Sequence, residues 1–136
     1  MAGRVAIAHA LPRIAIVEAV TVPAEWIEHR RGDREVLGWM RPEGDDFVVI
    51  DLLGRELGAP TDWFSAEELL ESRGIGYLAD PFEMLHNGSW VRVRLTEVSP
   101  DGIRVKNEDW GDMNADFIEH RLPFPMPETL RPLAAR

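Results

Sequence analysis

The sequence predicts an α+β fold: a mainly antiparallel, strongly bent sheet or small open β-barrel, closed on one side by one principal helix at about residues 62–74. Three observations predict it. Residues 90–98, W-V-R-V-R-L-T-E-V, alternate apolar and polar at the period of a half-buried strand. Ten prolines and eleven glycines in 136 residues punctuate the chain into short elements. The stretch from Phe64 to Ile75 carries paired start and stop signals for a helix.

Near the start, Val5, Ile7 and His9 alternate as a short strand that Pro12 ends. From 13 to 22, Ile14, Ile16, Val20 and Val22 share one face, with Ala15, Val17, Ala19 and Thr21 on the other. Both faces are largely apolar, which reads as a central, buried strand stopped by Pro23. Gly32-Asp33 between Arg31 and Arg34 fits a two-residue hairpin loop. Such a loop sets Arg31 opposite Arg34, Arg30 opposite Glu35, His29 opposite Val36 and Trp26 opposite Trp39. The last would be an aromatic pair worth about 1 kcal/mol. A competing reading puts Pro23 in the first turn of a short helix over 23–30. Pro42–Asp46 is a polar turn, Phe47–Ile50 an interior strand, and Asp51 leads into a loop marked by Gly54, Gly58 and Pro60.

Ser65 and Glu68 form a capping-box pattern at the helix start, and Phe64 and Leu69 are spaced as a hydrophobic staple. Thr61 or Asp62 offers a start one turn earlier. Ala66, Leu69 and Leu70 form the buried face, Gly74 suits the C-terminal cap, and Ile75 is placed to touch Leu70. Gly76–Ala79 reads as a short strand, and Asp80-Pro81 and His86–Ser89 as turns. Within 90–98, Val91, Val93 and Leu95 point inward and Arg92, Arg94 and Thr96 outward. The Ser99–Gly102 turn returns the chain to a partner strand, Ile103–Lys106. An acidic segment, Glu108–Asp116, precedes a last strand within Phe117–Leu122 and an extended run, Pro123–Pro127, expected to pack on its own domain. The whole is one domain, 1–136, with a flexible tail from about 128.

Several function classes are disfavoured. A net charge of −9 without a basic run argues against nucleic acid. The lack of cysteine excludes disulfides, thiolate metal sites and a Cys nucleophile, and fits a reducing cytoplasm. The apolar N-terminal stretch is broken by His9, Pro12, Arg13 and Glu18. It falls short of the ~20 residues of a membrane span and lacks a signal-peptide layout. A cytoplasmic protein without membrane contact is expected.

Ile27-Glu28-His29-Arg30 recurs as Ile118-Glu119-His120-Arg121. Carboxylate and imidazole together suit zinc or a general base. Adjacent strand residues face opposite ways, so a site would need both strands to meet. Asp112-x-Asn114-x-Asp116 fails as a calcium loop, with Phe117 at the glycine position and Pro123 at the acidic one. Gly74-x-Gly76 lacks a third glycine and follows a helix, and no G-x-S-x-G is present. Arg31-Gly32-Asp33 is read as a turn. No catalytic residue, metal ligand or cofactor is assigned. The tentative ligand-binding residues are Trp39, Asp51, Asp62 and Trp63, an aromatic wall and two carboxylates around a Gly-rich loop. Their plainer reading is core aromatics and a helix-capping Asp.

Gly38-Trp39, Asp51-Leu52-Leu53-Gly54-Arg55, Ala66–Gly74 and Gly76-Tyr77-Leu78 resemble small conserved proteins of actinobacteria with no assigned function. The resemblance covers residues 24–106 and implies a source, but no catalytic residues. The function expected is a non-enzymatic accessory or protein-binding module with a protein partner or a homo-oligomer. The alternatives are a small-molecule-binding protein or hydrolase using the Trp39/Asp51/Asp62/Trp63 region, and an acidic decoy of a nucleic-acid-binding protein.

Overall fold

A computed structural model describes residues 22–32, 35–108 and 119–133, with the backbone alone at 4–6 and 15–17. The strands are β1 (Arg4–Ala6), β2 (Ala15–Val17), β3 (Ile27–Arg31), β4 (Glu35–Glu43), β5 (Asp46–Ile50), β6 (Phe82–His86), β7 (Ser89–Ser99), β8 (Gly102–Asn107), β9 (Glu119–Leu122) and β10 (Leu130–Pro132). One α-helix, α1 (Trp63–Arg73), lies between β5 and β6. The strands form two sheets, one of seven strands and one of three ordered β3-β4-β5. The α+β class holds, and the sheets stay open, without closing into a barrel.

The long strand β7 organises the larger sheet. One edge pairs antiparallel with β8, and the other pairs antiparallel with β6 and then parallel with β2. A bulge between Leu95 and Glu97 separates the two halves. The extra residue breaks the strict alternation read from the sequence, so Leu95 and Val98 both face the core, opposite Val105 and Ile103. β2 is interior, between β1 and β7; of the expected 13–22 strand, residues 13–14 lie outside the described residues. Residues 18–21 and the acidic stretch 109–116 lie outside the described residues.

The hairpin of β3 and β4 forms, and no helix occupies 23–30, but the register differs from expectation. Arg31 faces Glu35, Arg30 faces Val36, His29 faces Gly38 and Glu28 faces Trp39. The shift removes the Arg31–Arg34 juxtaposition of like charges and places Arg31 Nε 4.0 Å from Glu35. A bulge between His29 and Arg30 absorbs the remainder, at Leu37-Gly38 on the opposing strand. Gly38 has φ +153°, and a Cβ there would collide with the Ile50 carbonyl and sit 2.9 Å from Leu70 Cδ2. Trp26 and Trp39 still meet, as diagonal neighbours with ring centroids 5.6 Å apart.

Helix α1 starts earlier than the Ser65 capping box implies. Asp62 is the N-cap and accepts the Ser65 backbone N–H at 2.8 Å. Gly74 closes the helix, as expected, with its N–H on the Leu70 carbonyl at 3.0 Å. Ala66 and Leu70 are buried, whereas Leu69 is exposed and no staple to Phe64 forms. Gly76–Ala79 is a 3₁₀ turn instead of a strand. The turn buries Leu78 and brings the Tyr77 hydroxyl to the Leu52 backbone N–H at 3.0 Å.

Both sheets and α1 share one core, including Met40, Val49 and Leu70 on the small sheet's side and Phe82, Val93 and Ile103 on the larger. The chain after β9 straps the two sheets together. Phe124 packs against Trp26 and Trp39, and Met126 N–H reaches the Leu53 carbonyl at 2.8 Å. Gly54, at φ +83°, permits this, because a Cβ there would lie 2.6 Å from Pro125 Cβ. Within the tail expected to be flexible from about 128, residues 130–132 form β10, paired with β6, with Leu130 1% exposed, and residues 134–136 lie outside the described residues. Burial of Leu130 in the common core is the reason.

Candidate functional site

The four candidate ligand-binding residues go to three separate places. Trp39 belongs to the aromatic cluster with Trp26 and Phe124. Asp62 caps α1, and the hydrogen bond from the Ser65 backbone N–H holds the Asp62 carboxyl below the usual carboxylate range. Trp63 packs edge-on against Phe47, with centroids 5.2 Å apart, and stays 40% exposed.

Asp51 is the exception, because it is 0% exposed and gathers partners from distant elements. Its Oδ1 accepts the Leu53 and Arg55 backbone N–H groups at 2.9 and 3.0 Å. Its Oδ2 accepts Arg55 Nε at 2.8 Å and lies 3.6 Å from Arg73 Nη2. Both guanidinium groups lie against the Tyr77 ring, 4.5 Å away for Arg73 and 5.5 Å for Arg55. Burial pushes the Tyr77 phenol up from its ordinary value, with the Asp51 charge adding to the rise. A charge removed from water needs this number of partners, and the arrangement fixes the loop after β5 to the end of α1. Arg73 and Tyr77 were not legible as partners of Asp51, since nothing local in the sequence links them.

The two Glu-His pairs do not meet. His29 Nε2 lies 2.9 Å from Glu71 and its Nδ1 3.6 Å from Glu67, joining β3 to α1. His120 Nε2 donates to Asn107 Oδ1 at 3.1 Å on the larger sheet. Its ring meets that of His86 at a tilt of 59°, with centroids 5.1 Å apart. A cavity of about 190 Å³ beside it is lined by Arg104, Glu119, His120 and Arg121. Among the described residues, no group of three or more His, Cys, Asp or Glu side chains is placed to hold a metal. No helix among them is long and apolar enough to cross a membrane.

The start of α1 has a different character. Phe64 is 69% exposed, the most exposed of the large apolar side chains among the described residues. Phe47 and Thr61 exchange backbone hydrogen bonds at 2.8 and 2.9 Å in an antiparallel bridge. That bridge sets Asp46 across from Asp62. Glu68 follows Phe64 by one helical turn on the same side. Trp63 and Phe64 are thus both exposed in the first turn of α1, in a region that register and helical spacing supply with the exposed residues Asp46, Asp62 and Glu68. The sequence carried the signal for Phe64, but as a staple residue rather than an exposed one.

No family model, curated protein or solved structure matches this chain.

Proposed function

We propose that the chain is a non-enzymatic, cytoplasmic protein-binding module that docks a basic, amphipathic segment of another protein on the Trp63/Phe64 face. The carrying observation is Phe64, which is 69% exposed in the first turn of the only α-helix among the described residues. Trp63, 40% exposed, is its neighbour in the same turn, and aromatic residues are common anchors of interfaces. The carboxylates around it select the partner's chemistry. A segment presenting arginine or lysine beside an apolar residue would satisfy both the rings and the rim. The net charge of −9 favours the same class of partner over long range. The dispersal of Trp39, Asp51, Asp62 and Trp63 weighs against the small-molecule alternative, because no shared polar constellation remains to orient a ligand.

The test places a photo-crosslinking phenylalanine analogue at position 64 and exposes the protein to extract of its native host. A protein is expected to crosslink at 64 and to be retained by the unmodified chain. Its retention should fall with added salt and be lost with Phe64→Ser or Trp63→Ala. If the same proteins are retained by the wild type and both variants, or a metabolite co-purifies and no protein does, the proposal fails.

A further inference from the structure

We infer that His86 and His120 form a binding site for a borderline divalent transition-metal ion such as Zn²⁺, with water in the remaining coordination positions. The two histidines belong to the outer strands of the antiparallel series β6-β7-β8-β9. In a flat sheet three strand spacings, roughly 14 Å, would separate those strands. Curvature of the sheet brings the rings to 5.1 Å.

Register places both on one face. His86 pairs with Ser89, in phase with Val91 and the buried Val93, and His120 pairs with the buried Val105. Asn107, opposite Val93, lies on this face as well. The rings therefore meet at the open rim of the core-facing side, where His86 is exposed and His120 half-buried.

The spacing suits a shared ion. A metal bound about 2.1 Å from one nitrogen of each ring in tetrahedral geometry sets the two imidazole centroids roughly 5 Å apart. The outer contacts suit it too. Asn107 Oδ1 accepts from His120 Nε2, which fixes the tautomer with a bare Nδ1 and orients the ring. His86 Nε2 has only a long contact, 3.3 Å, to Asn87 Nδ2. Asn87 Nδ2 can only donate, so His86 Nε2 holds the lone pair and is the nitrogen an ion would take, displacing that long contact. Two imidazole ligands without thiolates favour zinc, nickel or copper over magnesium or calcium. A two-ligand protein site is weaker than a structural zinc centre, and it leaves positions open to exchange.

The experiment uses the full-length chain without an affinity tag. Zn²⁺ is titrated calorimetrically while the imidazole resonances are followed by ¹H–¹⁵N NMR. Saturable binding is expected, with the His86 and His120 signals moving together. His86→Gln and His120→Gln should each weaken binding by roughly tenfold or more, and His29→Gln should leave it unchanged. The wild-type NMR readout decides the matter even if a variant misfolds. Absence of saturable binding to the wild type, or binding that leaves these two imidazoles unmoved, would overturn the site.

Discussion

At the scale of the residue, Asp51 and Tyr77 make the sharpest stability predictions. Asp51→Ala removes the acceptor of two backbone N–H groups and the counter-charge of Arg55 and Arg73. A destabilisation of about 3 kcal/mol is expected from urea unfolding, the range for breaking one side of a buried ion pair. Asp51→Asn should cost less, because a carbonyl oxygen can still accept the N–H groups. Tyr77→Phe leaves the buried Leu52 N–H without its acceptor and should cost about 1–2 kcal/mol. Tyr77 also sets an alkaline dependence. Its folded pKa is raised, so its contribution is complete below the ordinary tyrosine pKa of about 10 and is lost as pH climbs above it. Wild-type stability should therefore fall above that pH more steeply than that of Tyr77→Phe, and equal slopes would contradict the assignment. In the sequence Asp51 stood out as a candidate ligand residue. Its structural occupation was hidden, because Arg73 and Tyr77 reach it only through the fold.

At the scale of the element, the hairpin and the helix were each legible in kind and displaced in detail. The turn signal at Gly32 identified the β3–β4 hairpin correctly, but a turn residue alone does not fix register. Gly38 supplied the missing signal: a glycine inside an apolar strand run, where a bulge or a close backbone approach is the usual cause. Gly38→Ala should destabilise the protein by about 3 kcal/mol or more, since backbone and Leu70 must both move to admit the methyl group. A Gly38→Ala variant unfolding at the wild-type urea midpoint would refute that packing. At the helix, D-x-x-S and S-x-x-E compete for the same turn, and Asp62 prevails because the Phe47–Thr61 bridge holds the chain extended up to it. Asp62→Ala should speed amide exchange at Ser65, with the hairpin strands unaffected. The cap's contribution is present above the ordinary carboxylate pKa and is lost as pH falls through the lowered folded value. Wild-type exchange at Ser65 should therefore rise to meet the variant's in acid.

At the scale of the whole molecule, the segment after β9 decides whether two sheets behave as one. The alternating strand at 90–98 and the turns announced a β-rich chain, and Pro123–Pro127 was expected to pack on its own domain, but nothing in the run announced that it would bridge two sheets and lead into a strand, because proline-rich runs and loose tails share the same composition. Physically the strap touches both sheets at separated points. Phe124 fills the Trp26–Trp39 cluster of the small sheet, and Leu130 sits 1% exposed against β6 of the large one. If that coupling holds the sheets in one core, damage at either end should be felt everywhere. Leu130→Ala should cost about 2–4 kcal/mol, in the range of a large-to-small change in a packed core. Both Leu130→Ala and the wild type should unfold in one calorimetric transition with matching calorimetric and van't Hoff enthalpies. Tryptophan fluorescence becomes the discriminating probe in a background with Trp90→Phe and Trp110→Phe, because Trp90 lies on β7 under Arg131, whereas the remaining Trp26, Trp39 and Trp63 report on the small sheet and its helix while Leu130 lies on the other. Their signal should shift to lower temperature together with the far-UV circular dichroism of the whole chain. A variant in which the dichroism drops first and the fluorescence transition stays in place would mean that the sheets fold separately and that the strap merely lies across them.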